Sequence, residues 1–185
     1  MALSKIDVAN MLTGATPVAN GGTALTSGFK NGVTSADMWR LTTTFTGDAS
    51  PVSSNLESAD TYGQGKIGSA MTVSSGIWTF PSTGIWQVIF GAYFSEDSAN
   101  RAGQHIMQVT TDNSSYNDVC YADTNIANHS AVGVQSSLGM YILDVTNTTN
   151  VKCRFNLSNV DDSTSVVGNT NYNQTYWTFI RLGDT

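Results

Sequence analysis

Apolar and polar residues alternate along much of this chain with a period of two. Trp39, Leu41, Thr43 and Phe45 alternate with Arg40, Thr42, Thr44 and Thr46, and Val151, Cys153, Phe155 and Leu157 alternate with Lys152, Arg154 and Asn156. Successive side chains of a strand point to opposite faces, so each run predicts a half-buried strand with one wet face. His105, Met107 and Val109 alternate less cleanly with Gln104, Ile106 and Gln108. Two runs break the pattern. The stretch from Ile85 to Phe94 is apolar on both parities, interrupted by Gln87 and Gly91, and Tyr176 to Leu182 also carries large residues on both faces. A strand apolar on two faces is buried on two sides. One side faces the domain core, and association of subunits is the simplest source of a second cover. A monomeric sandwich with some exposed aromatics is the alternative.

Turn chemistry separates the runs. Gly47-Asp48, Gly63-Gln64-Gly65, Pro81-Ser82-Thr83-Gly84, Asn113-Ser114-Ser115, Asn147-Thr148-Thr149-Asn150 and Asp161-Asp162-Ser163 are clusters of turn formers. Strands at this spacing, without long helical patterns between them, predict an all-β sandwich. The first residues differ. Thr16-Pro17-Val18-Ala19-Asn20-Gly21-Gly22-Thr23 cannot hold a core strand, because Pro lacks an N–H and Gly pairs add backbone freedom. Residues 1–36 are expected to form an attachment arm, with a short helix over Ser4 to Leu12, and residues 37–185 the folded domain.

Composition narrows the function classes. In 185 residues, 40% are hydrophobic, enough for a core, and only 12% are charged. That is about half the usual share of roughly 25%, so Ser, Thr, Asn and Gln must cover the surface. The net charge is −6, with no basic run or stripe, which argues against nucleic acid and against an anionic membrane. No apolar stretch approaches the roughly 20 residues of a membrane helix. Met1 to Asn20 lacks the apolar core of a secretory signal. Cys120 and Cys153 are therefore expected as free thiols, a disulfide between them being the alternative, and two lone cysteines do not have the spacing of a metal site.

Three pieces of the chain resemble a known family. Ile67 to Met71, followed by Gly76-Ile77-Trp78-Thr79-Phe80-Pro81-Ser82-Thr83-Gly84-Ile85-Trp86-Gln87-Val88, resembles the globular heads of complement-type and tumour-necrosis-factor-like jelly rolls. Leu138-Gly139-Met140-Tyr141-Ile142-Leu143 with Val151 to Phe155 looks like the hairpin before the last strand, and Thr175 to Leu182 looks like the closing strand. The likeness spans residues 38–184, with Glu96 to Gln135 matching only in length. It implies a two-sheet jelly roll of about ten strands, assembled as a homotrimer about a threefold axis. Parity then places Trp86, Val88, Phe90, Ala92, Phe94, Trp177 and Phe179 in the core, with Trp39, Leu41, Phe45, Trp78, Phe80 and Phe155. Ile85, Gln87, Ile89, Gly91, Tyr93, Tyr176, Thr178, Ile180 and Leu182 would face sister subunits. The opening, Met1 to Asp7 and Pro17 to Thr23, looks like that of phage tail-fibre and appendage proteins, particularly phages of marine bacteria.

Catalytic signals are weak. His105 sits on an alternating strand and is read as a satisfied strand histidine; His129 lies in a polar stretch; neither is flanked by a nucleophile motif. Glu96-Asp97 and Asp161-Asp162 read as solvated turn charges, since adjacent carboxylates on a turn do not make the spaced pair of a glycosidase; a weak calcium site is the functional alternative. Gly63 to Gly68 imitates a dinucleotide fingerprint without its strand and helix. Tyr116, Tyr121 and Tyr172 lie beside Asn- and Asp-rich segments and are candidates for stacking on sugars. No cofactor is expected. The sequence points to a non-enzymatic bacteriophage virion protein, a tail fibre, appendage or head decoration. Its arm would join other virion proteins, and its trimeric domain would contact a host-surface glycan or receptor. A secreted bacterial lectin-like or matrix protein and a glycan depolymerase are the alternatives.

Overall fold

The computed structural model describes residues 32–96, 103–125 and 132–185. Among them are twelve strands: β1 (Ala36–Leu41), β2 (Phe45–Thr46), β3 (Leu56–Ser58), β4 (Thr72–Ser74), β5 (Ile77–Thr79), β6 (Gly84–Glu96), β7 (Gly103–Thr110), β8 (Asn117–Thr124), β9 (Gly133–Val145), β10 (Lys152–Ser158), β11 (Ser165–Val166) and β12 (Tyr176–Gly183). They form a seven-stranded sheet in the order β2-β11-β6-β12-β1-β3, with β9 on the free side of β6, and a five-stranded sheet in the order β4-β5-β10-β7-β8. Both sheets are antiparallel. The described residues are all-β, two sheets packed as a jelly roll, with the closing strand β12 between β6 and β1. Val33–Thr185 forms one compact unit. Most of the attachment arm, with its expected short helix, lies outside the described residues.

The core follows the parity of β6. Trp86, Val88, Phe90, Ala92 and Phe94 are buried, as are Leu41, Trp78, Phe80, Phe155, Trp177 and Phe179, while Trp39 and Phe45 pack half-buried against them. Trp78 makes the centre: its ring lies 5.1 Å from Trp39, 5.9 Å from Trp177 and 5.0 Å from Phe179. Aromatic rings at such separations contribute beyond the area they bury.

Three local expectations change. The run from Trp39 to Thr46 is two strands rather than one, because β1 pairs with β12 and β3, whereas β2 pairs with β11. β9 and β10 are not a hairpin. β9 pairs with β6 in the larger sheet, and β10 pairs with β5 and β7 in the smaller. Leu143 and Val145 on one strand and Cys153, Phe155 and Leu157 on the other are all buried, so the two strands line the core from opposite sheets. The crossing between them is capped by Asn147, whose Oδ1 accepts from the Thr149 and Asn150 amides. Arg40 does not sit on a wet face: its side chain is fully buried.

Candidate interaction surface

Residues directly opposite in an antiparallel pair share a face. On β6 and β9, Gln87 lies opposite Ile142, Ile89 opposite Met140 and Gly91 opposite Leu138. On the other flank of β6, the same residues lie opposite Ile180, Thr178 and Tyr176 of β12. Three strands thus present one outer face with an aliphatic strip. Leu138 is 67% exposed, Met140 57% and Ile142 49%, with Val134 and Leu182 also open. Ile85, Gln87, Ile89, Tyr93, Tyr176, Thr178 and Ile180 are half-buried beside them. The Gln87 amide donates to Met140 Sδ (2.8 Å). The residues singled out on β6 and β12 are brought together, and β9 adds three large apolar side chains that sequence reasoning had not assigned to this face.

The face continues onto β1, where Met38 is opposite Thr178 and Arg40 opposite Tyr176. Here the chain covers it. Arg40 Nε donates to Glu57 Oε1 (2.7 Å), Nη2 to Asp60 Oδ1 (2.8 Å), and Nη1 to Thr61 Oγ1 (2.8 Å) and Gln64 Oε1 (3.2 Å). Met38 Sδ accepts from Gln64 Nε2 (3.4 Å). The segment after β3 is therefore pinned over this edge, and the strip on β9, β6 and β12 stays open.

The opposite outer face, on the smaller sheet, is polar. Arg154 Nε donates to Gln108 Oε1 (2.6 Å), Gln108 Nε2 to Asp118 Oδ1 (2.5 Å), and Tyr121 Oη to Asp118 Oδ2 (2.5 Å). The bonds from Tyr121 and then Gln108 hold the Asp118 carboxyl below its ordinary pKa, and the bond to Asp118 raises that of Tyr121. Arg154 stacks 4.2 Å from the centre of the Tyr116 ring. The three tyrosines do not form one platform. Tyr116 and Tyr121 border this network, whereas Tyr172 is exposed in the β11–β12 connection, next to Asn171, whose carbonyl accepts from Thr61 Oγ1 (2.5 Å).

Two chemical expectations are corrected. His105 is on a strand, but neither ring nitrogen has a hydrogen-bond partner. It sits fully buried 4.7 Å from Phe90, 5.8 Å from Phe155 and 6.0 Å from Trp177, ring centre to ring centre. Burial lowers its pKa from 6.5 to about 3, so it is neutral. Glu96 is not a solvated turn charge: it ends β6, buried, accepting from the hydroxyls of Thr164 and Ser163. Its neighbour Asp97 lies outside the described residues, as does His129. Among the described residues no group of three or more His, Cys, Asp or Glu side chains is arranged to hold a metal ion, and no helix is long and apolar enough to cross a membrane. Cys120 and Cys153 are both free thiols, the second fully buried, and burial pushes its pKa up.

Two antiparallel sheets with the last strand inside the larger one define a jelly roll of the tumour-necrosis-factor-like type. Solved structures share it: murine APRIL at pH 5.0, 9% identical over 80% of this chain and 98% of that one, with a TM-score of 0.56, and Eiger TNF from S. frugiperda, 12% identical over 81% and 93%, with a TM-score of 0.59. At these identities the likeness is one of fold. No protein-family model and no curated protein matches the chain.

Proposed function

We propose that this chain is a self-assembling, non-enzymatic display module of a bacteriophage particle, three copies meeting through the outer face of β9, β6 and β12. The observation that carries the assembly is the open strip of Leu138, Met140 and Ile142 beside Ile89 and Ile180. Fully burying a side chain of this size contributes about 1.5–3 kcal/mol, so a contiguous row favours association over exposure to water. A second copy is the occupant because the strip is continuous with the two strands whose double-sided apolar character already called for a sister chain. The threefold arrangement is what the resemblance to tumour-necrosis-factor-like heads implies. The polar outer face of the smaller sheet would then point away from the axis, where three copies contact a host surface with avidity. The virion setting rests on the appendage-like opening of the chain, with the arm as the link to other particle proteins.

Light scattering on the purified chain is expected to give three times the 19.7 kDa subunit mass. Leu138→Asp and Ile180→Asp, on β9 and β12, should each give single subunits with unchanged circular dichroism. A wild-type monomer at micromolar concentration would defeat the assembly. Purified protein should bind phage particles or host cells; host binding marks an adhesin, capsid-only binding a decoration, and binding to neither would overturn the virion role.

A further inference from the structure

A concave pocket of about 380 Å³ opens at the end of the sandwich where β6 begins and β12 finishes, lined by Thr34, Ser35, Ser69, Ser82 and Arg181 among others. Arg181 is out of place by strand parity, since it lies opposite core Trp86. Two features turn it out of the core. β12 carries a bulge between Arg181 and Gly183, and bulges re-aim side chains. Gly84, at φ 139°, leaves the space the guanidinium occupies: a Cβ there would lie 2.6 Å from Arg181 Nε and 2.5 Å from the Gly183 carbonyl oxygen.

The guanidinium is held from three sides. Nε donates to the Thr83 carbonyl (2.8 Å), Nη1 to Thr34 Oγ1 (3.2 Å), and Nη2 to the Asp184 carboxylate. Those bonds engage three of its five N–H groups and leave one on each terminal nitrogen to donate. The Arg181 side chain is only 15% exposed, but Asp184 is 92% exposed, and ion pairs with so solvated a partner are weak and replaceable.

We propose that this pocket binds a small oxyanion, a carboxylate or phosphate group, with Arg181 as the charged donor, the Ser69 and Ser82 hydroxyls at its sides, and Asp184 as the internal competitor that the ligand displaces. The volume fits such a group with a few attached atoms, since ligand pockets run from about 300 Å³ upward. The site uses none of the side chains of the aliphatic strip, and its chemistry does not depend on the assembly proposed above.

The test is a nuclear magnetic resonance titration of the ¹⁵N-labelled chain with inorganic phosphate, acetate and glucuronic acid at fixed ionic strength, reading the amides of residues 82–84 and 181–184. Saturable shifts are expected in the millimolar range. Asp184→Asn should tighten binding by about fivefold, the order a surface pair can supply. Ser82→Ala should weaken it, and Arg181→Gln should abolish it; if Arg181→Gln does not fold, the other two variants decide. Preference for phosphate assigns a phosphoryl ligand, and preference for glucuronic acid over acetate assigns an acidic sugar. Shifts that fail to saturate, or an affinity that Asp184→Asn leaves unchanged, overturn the proposal.

Discussion

His105 is packed among Phe90, Phe155 and Trp177 with both ring nitrogens unpartnered, so protonating it inside the fold means placing a charge in an aromatic box. The unfolded chain has no such restriction and takes up the proton near the ordinary value of 6.5, against about 3 in the fold. The folded pKa is depressed. Stability from this residue is therefore complete above pH 6.5 and drains away as the pH falls toward 3. Linkage gives a loss of about 2 kcal/mol at pH 5 and about 3 kcal/mol at pH 4, relative to pH 8. His105→Leu removes the titration and two unsatisfied polar atoms at similar volume, and volume-conserving core changes cost less than about 1.5 kcal/mol. Urea unfolding at pH 8, 6 and 5, at one protein concentration, compares the two proteins. Between pH 8 and 5 the wild-type midpoint should drop relative to that of the variant by about 1 M, taking a slope of about 2 kcal/mol per molar urea. All other ionisable groups are common to the two proteins, so their contributions cancel in the comparison. Parallel midpoints across that range would refute the reasoning, because they require His105 to accept a proton in the folded state as readily as in the unfolded one.

Gly139→Ala should destabilise by at least about 2 kcal/mol in a urea or thermal melt, since the added Cβ would lie 2.3 Å from the Phe90 ring inside the core. Arg40→Leu should free the segment around Asp60, Thr61 and Gln64 that the guanidinium holds, so hydrogen exchange there speeds at least tenfold while β6 and β12 stay protected. In the native protein Cys153 should resist alkylation that Cys120 accepts, and both should react in urea, as free-thiol counts by mass will show.

That β6 and β12 carry large residues on both parities is a local signal, read from neighbours one and two positions away, whereas the choice of which parity meets the core came from the resemblance to tumour-necrosis-factor-like heads; in the structure Trp86, Phe90, Trp177 and Phe179 are buried. β9 shows where the signal ends. Leu138, Met140 and Ile142 alternate with Gly139, Tyr141 and Leu143, so both parities are apolar or small and nothing local says which is open. Pairing with β6 decides it. Arg40 was read as wet for the same reason: its partners, Glu57, Asp60, Thr61 and Gln64, lie 17 to 24 residues away. The pocket at Arg181 was likewise invisible, because a bulge and the juxtaposed start of β6 create it, and neither has a sequence period.

The two broad faces of this sandwich differ as oil differs from brine: aliphatic side chains on the one carrying β9, amides and charges on the one carrying Arg154 and Asp118. A lone copy in dilute solution is therefore built like a surfactant. It will seek air bubbles, plastic and detergent micelles, and losses during handling should grow as the protein is thinned rather than as it is concentrated.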